Sequence, residues 1–200
     1  MATETKRPPG RPSEGAREAL IKAAHDLFVE RDFDQVSTEQ ILARSGVSRG
    51  ALYHHFPSKL DLFEAVYVAS EQRALARIGA SLSTESKPGE ALVASAKAYL
   101  RLCEGDEELR RIGLTQSRAV LGWERWRELA GELGIGVVRA LVTAAIEAGE
   151  LPRRDPETTA IVLLGALIEA AMLIVVAEDR AAARERSEAV IEDLLTGIRR

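Results

Sequence analysis

A single cysteine, Cys103, in 200 residues leaves no intrachain disulfide framework and no Cys-rich zinc site. Aromatic residues make up only 4% of the chain, which removes a broad aromatic platform for carbohydrate. Positive charge is not in surplus either. The 27 Lys+Arg against 31 Asp+Glu give a net charge of −4, so the chain as a whole is no polycation that coats nucleic acid or anionic lipid. No apolar run follows the basic residues near the start, so no secretory signal is expected. A Gly-rich phosphate loop, a metal-ligand spacing and a nucleophile with its base are also lacking, so neither enzyme activity, a metal nor a cofactor is expected. What is present, 46% hydrophobic and 29% charged residues, suits a core of one domain or two small ones in a reducing cytoplasm.

Charge is unevenly placed. The first sixty residues hold 9 basic and 8 acidic side chains, the remainder 18 and 23, so the acidic excess belongs to the later part. Within the first part, Lys6, Arg7 and Arg11 fall in a Pro/Gly-rich stretch that cannot form a helix and has nothing apolar to anchor it. Residues 1–12 read as a disordered basic arm whose Lys6, Arg7 and Arg11 are expected to contact DNA in the minor groove, with plain solvated disorder as the alternative. The longest apolar stretch, Ala160 to Ala177, is interrupted only by Glu169. Its length of about 27 Å at 1.5 Å per residue barely spans a bilayer, and a central charge opposes insertion, so a soluble buried helix is the expectation and no membrane partner.

Helical periodicity runs throughout and strand alternation is nearly absent, which predicts an all-α fold of nine helices. Leu20, Ala23, Ala24, Leu27 and Phe28 mark a first amphipathic helix over 13–31. Ser37 followed by Gln40 makes a capping box ahead of Ile41, and Ser45-Gly46 ends that second helix. Val47-Ser48 opens a third, which Pro57 closes, and Ser58 with Asp61 opens a long fourth with the stripe Leu62, Phe63, Val66, Tyr67, Leu75 and Ile78. Further helices are expected near 88–103, 107–114, 124–149, 156–178 and 181–198.

Two short helices joined at Ser45-Gly46-Val47-Ser48 between longer ones have the layout of a helix-turn-helix, in which the second helix enters the major groove by its N-terminal end. Ser48, Arg49, Gly50, Ala51, Tyr53, His54 and His55 form its readable end. Arg49 suits the fork of guanine O6 and N7, and small Gly50 and Ala51 permit close approach. Tyr53, His55 and Lys59 suit phosphate positioning. Adjacent His54 and His55 diverge by about 100° on a helix, which opposes a shared metal.

The run from Thr38 to Lys59, TEQILARSGVSRGALYHHFPSK, resembles the DNA-binding signature of the TetR family of bacterial transcriptional regulators. The pattern extends over about residues 13–67, and beyond it only helix number and layout agree. The resemblance implies an N-terminal three-helix DNA-binding domain over 13–60, with its helix-turn-helix at about 37–56. It also implies an effector-binding and dimerisation domain over 61–200. The partners it implies are a palindromic double-stranded operator, a second copy of the chain and a small-molecule effector that releases the DNA, in a bacterial cytoplasm with association to the nucleoid on binding. By position, Thr38, Arg49, Gly50, Ala51, Tyr53, His54, His55 and Lys59 sit where the family touches DNA. Glu39 stands where some members carry a basic residue, so no base contact is expected from it.

Tyr99, Cys103, Gln116, Arg118, Trp123, Trp126, Glu169 and Met172 are candidates for lining a pocket for a mostly apolar effector, with core packing as the alternative for each. Glu169, alone among apolar residues, has three open readings: an effector contact, a paired core ion or an interface residue. Leu164, Leu167, Ala171, Ile174, Val190 and Leu194 are expected to form a four-helix dimer seam. The competing reading is an all-helical small-molecule binding or scaffold protein that does not recognise specific DNA.

Overall fold

The computed structural model describes residues 14–83 and 86–198, and all of the regular structure among them is helical. The α-helices are α1 (Glu14–Glu30), α2 (Thr38–Ser45), α3 (Arg49–His55), α4 (Lys59–Ser81), α5 (Pro88–Gly105), α6 (Ser117–Ala130), α7 (Gly136–Glu147), α8 (Pro156–Val176) and α9 (Arg180–Ile198). The chain divides into two compact units, 1–66 and 67–200, with the boundary inside α4.

In the first unit the local signals act as their chemistry requires. The Gln40 amide donates to Ser37 Oγ at 3.2 Å while the Ser37 amide donates to Gln40 Oε1 at 2.8 Å, closing the capping box of α2. Gly46 ends that helix in the left-handed region at φ 68°, where a Cβ is unwelcome. Ser48 then caps α3 by accepting from the Ala51 amide at 3.3 Å. Replacing Ser37 by Ala is expected to cost about 1 kcal/mol and lower the midpoint of thermal unfolding followed by circular dichroism. An unmoved midpoint would mean that the box contributes nothing. Leu20, Phe28, Ile41, Leu52, Leu62 and Phe63 are fully buried in this unit. Phe28, Phe33 and Phe63 form a ring triangle with centroids 5.1 to 5.7 Å apart.

The second unit packs α5, α7, α8 and α9 around Leu100, Cys103, Val142, Ala171 and Ile174. Two separate helices were expected over 107–149. Instead the backbone stays helical through 115–121, with π-helical turns over Leu109–Gln116 and Gly131–Ile135. Side-chain bonding explains the first wide turn: the Thr115 hydroxyl donates to the Arg110 carbonyl, five residues back, at 2.9 Å, and Ser117 Oγ donates to the Gly113 carbonyl at 2.6 Å. The real break falls at Gly122, whose φ of 76° and ψ of 163° belong to a region that only glycine occupies easily. By length and composition the run 109–147 and α8 are each apolar enough to cross a membrane, and α7 and α8 pack against each other and against α5.

Candidate nucleic-acid interface and ligand cavity

The N-terminal end of α3 is uncovered. Ser48, Arg49, Gly50, Tyr53 and His54 are exposed, Ala51 is half-buried, and Leu52 and Phe56 turn inward to hold the helix. Arg49 is paired with Glu39 of α2, Nη2 to Oε1 at 2.6 Å, and both side chains are well exposed. A backbone hydrogen bond at Glu39 and then the Arg49 guanidinium hold the Glu39 carboxyl below its ordinary range. Thr38 is half-buried and its hydroxyl donates to Glu39 Oε2 at 3.3 Å. Sequence reasoning thus missed Glu39 as the partner of Arg49, although its place in the first turn of α2 was visible.

Two expected phosphate contacts are redirected. Lys59 Nζ donates to the carbonyls of Phe33 and Val36, each at 2.9 Å, and lies 4.0 Å from the centre of the Phe33 ring. Its ammonium ties the α1–α2 connection to the start of α4, so the phosphate assignment gives way to a structural one. His55 is half-buried beside His54 and Phe56, at ring distances of 5.4 and 6.4 Å, and so faces the unit's interior rather than a groove. Lys6, Arg7 and Arg11 lie outside the described residues.

The second unit contains a cavity of about 110 Å³, of the order of the roughly 150 Å³ that admits benzene in an engineered protein core. Tyr99 and Trp126 line it, as expected, and Tyr67, Glu71, Ala96 and Leu167 share the wall. The other expected pocket residues lie elsewhere. Cys103 is fully buried behind the wall, and burial, with the charge of Glu71, pushes its thiol up to about 12. Gln116 is buried among the helices, and Met172 packs on the hydrophobic core. Arg118 lies 4.5 Å from the centre of the Trp126 ring, and Trp123 is 60% exposed with its ring 5.5 Å from Trp126.

Glu169 is exposed, not buried in the core or in the cavity. Because α8 is apolar on every side, composition alone does not distinguish its inner face. The helix buries Leu163, Ala170, Ala171 and Ile174 and leaves Val162, Leu173 and Val176 at 62% exposure or more, with Glu169 on that outward stripe. The expected dimer residues divide accordingly. Ala171 and Ile174 are already used up in the unit's own core, Leu164 and Leu167 line the cavity, Leu194 touches it while remaining 41% exposed, and Val190 is outward at 66%.

Glu71 is the residue that sequence reasoning passed over. It lies four residues after Tyr67 and four before Leu75, on the core stripe of α4, and that spacing was the available signal. Its carboxylate oxygen occupies the space over Gly113: a methyl group there would stand 2.7 Å from Glu71 Oε1 and 2.8 Å from Leu109 Cδ1. Desolvation raises its pKa to about 7.

A helix presented end-on after a tight turn, with an apolar cavity in a different unit of the same chain, is the layout of a helix-turn-helix DNA-binding regulator. Residues 20–66 match the family described as bacterial regulatory proteins, tetR family, and residues 89–198 match the tetracyclin repressor-like C-terminal domain. The chain belongs to the TetR family of transcriptional regulators, whose members bind DNA operators and small-molecule ligands and typically dimerise. It is 28% identical over 143 residues, covering 70% of each chain, to the Transposon Tn10 TetC protein of Escherichia coli. It is 31% identical to the HTH-type transcriptional activator FasR of Mycolicibacterium smegmatis over 101 residues, which cover 50% of this chain and 46% of that one. A solved TetR-family regulator from Pectobacterium atrosepticum superposes with a TM-score of 0.75 at 30% identity, over 92% of this chain and 94% of the other.

Proposed function

We propose that this protein is a homodimeric repressor whose α3 helices read a palindromic operator and whose second unit releases the DNA when a small, largely apolar molecule fills the cavity. The observation that carries the reading is the uncovered end of α3, with Arg49 at its first turn and small Gly50 and Ala51 beside it. Relatives act in both directions, FasR being an activator and BepR of Brucella suis a repressor. The ligand half of the reading is supported by the cavity and by the likeness in fold to RolR, solved with resorcinol. The outward apolar stripe of α8 with Val190 of α9 is the face proposed for pairing two copies across a two-fold axis, which sets the α3 helices about 34 to 36 Å apart along the DNA. Residues 13–60 then act at DNA in the bacterial cytoplasm, and 61–200 in ligand binding and assembly.

The test is Arg49→Ala against a panel of operator variants recovered by selection from random duplexes. Loss of about 1 to 3 kcal/mol on the preferred sequence, with preference relaxed at one base pair, is the expected result. An equal loss on every sequence would remove Arg49 from base reading, and retention of full affinity would remove α3 from the interface.

A further inference from the structure

The cavity wall is chemically one-sided. Its residues include a carboxyl group and the rings of Tyr67, Tyr99 and Trp126, and no Lys, Arg or His. Among the described residues Glu71 has no ion pair or hydrogen bond, and desolvation is the sole cause of its displaced pKa. Glu71 is half-buried, with its carboxyl on an otherwise apolar cavity wall, and a carboxylate held there without a partner is costly in a folded chain. Space is nevertheless kept for it at Gly113, where any side chain would meet its oxygen. The geometry is that of one half of an ion pair.

The groups facing Glu71 do not supply the other half. Tyr67 on its own helix and Tyr99 and Cys103 on α5 all have raised pKa values, so they are neutral near pH 7. Arg110, whose charge acts on Cys103, gives its guanidinium to the carbonyls of Cys103 and Glu104. Arg118, whose charge acts on Tyr67, lies over the face of Trp126. A positive charge arriving with a ligand would meet a carboxylate beside the rings of Tyr67 and Tyr99, with Trp126 already carrying Arg118 on its face, whereas a ligand anion would meet the like charge of Glu71.

We propose that the cavity takes a small, largely apolar cation, an aromatic or alicyclic amine, with its ammonium hydrogens on Glu71 and its ring among Tyr67, Tyr99 and Trp126. This rests on the cavity being the effector site of the regulator proposed above. Binding then carries a proton signature. Near pH 6 the empty site holds Glu71 protonated, since its pKa is about 7, and an arriving ammonium favours the ionised form, so a proton is released to solvent. Affinity for the cation accordingly rises between pH 6 and pH 8.

The experiment is calorimetric titration of the full-length protein with benzylamine, its neutral isostere benzyl alcohol, and benzoate. The expected result is at least a tenfold preference for benzylamine over benzyl alcohol at pH 7.5 and no heat from benzoate. At pH 6, buffers of different ionisation enthalpy should report proton release with benzylamine alone. Glu71→Gln keeps the shape and should erase both the preference and the proton release. Gly113→Ala, which displaces the carboxyl without removing it, should weaken benzylamine more than benzyl alcohol. Equal binding of amine and alcohol, or a preference that survives Glu71→Gln, overturns the cation assignment and leaves the cavity as an effector site. Failure of every probe to bind, or benzyl alcohol binding that persists when Ala96→Phe fills the cavity, overturns the effector-site reading and the cation assignment with it.

Discussion

Leu173→Arg is expected to convert the protein from dimer to monomer and to weaken binding to a two-half-site operator by about 10²- to 10⁴-fold. Leu173 stands 62% exposed on α8 between Glu169 and Val176, on the outward stripe that carries Val162 beyond the charge of Glu169. Exposed apolar side chains grouped on one helix face mark an interaction surface. An arginine at its centre would have to be desolvated against apolar neighbours and, in an isologous contact, placed opposite its own symmetry mate. The effect on DNA follows from linkage: with two copies joined, the second half-site is bound intramolecularly at an effective concentration far above that of free protein, and separation forfeits that gain. Sedimentation velocity reads the association state, and titration of the operator against a single half-site reads the loss. A variant that stays dimeric with full operator affinity would remove the α8 stripe from assembly. Since Leu173 is outside the buried core, the monomer should keep its helical circular-dichroism signal.

The second large effect is expected from Lys59→Ala, and it concerns stability before it concerns DNA. The ammonium satisfies the carbonyls of Phe33 and Val36 and lies against the Phe33 ring. Its removal leaves two carbonyls to find water and loses a charge–ring contact, at a combined cost of about 2 to 4 kcal/mol. Differential scanning calorimetry should show the first unit unfolding at lower temperature, while the slope of log affinity against log salt for DNA binding, measured below that temperature, stays unchanged. If the slope instead falls by about one unit with the unfolding temperature unmoved, Lys59 is neutralising a phosphate and the sequence-based assignment of this residue is restored.

Lys59 also shows where sequence reasoning stops. The helix starts were legible because a cap is settled within three residues: Ser37 with Gln40, Ser48 with Ala51, and Ser58 with Asp61, whose Oδ2 accepts the Ser58 amide at 2.8 Å. The exposed end of α3 was legible for the same reason, since its fate depends on a glycine and a cap rather than on distant packing. The partner of Lys59 is 26 residues away in a 3₁₀ turn at Phe33–Gln35 that no periodicity marks. Helix α8 misled in the opposite way. In a segment apolar on nearly every side, the chain itself does not say which stripe packs inward, so Glu169 admits cavity, core and interface readings and Ala171 and Ile174 look available to a partner; the structure exposes Glu169 and buries the other two. Around the cavity, Tyr99 and Trp126 were visible as aromatics, whereas Glu71 was hidden among Ser70, Gln72 and Arg73, whose polarity conceals its place on an inward stripe.

Gly113 gives that carboxylate an unusual dependant. The oxygen from α4 stands where a methyl group would be, so the two positions, 42 residues apart, share one space: a side chain at 113 would push the carboxyl at 71 aside. A methyl group at 113 would also stand 2.8 Å from Leu109 Cδ1, so both side chains would have to give way to it. Room for that carboxyl at the cavity is thus set from the facing wall by the absence of a side chain.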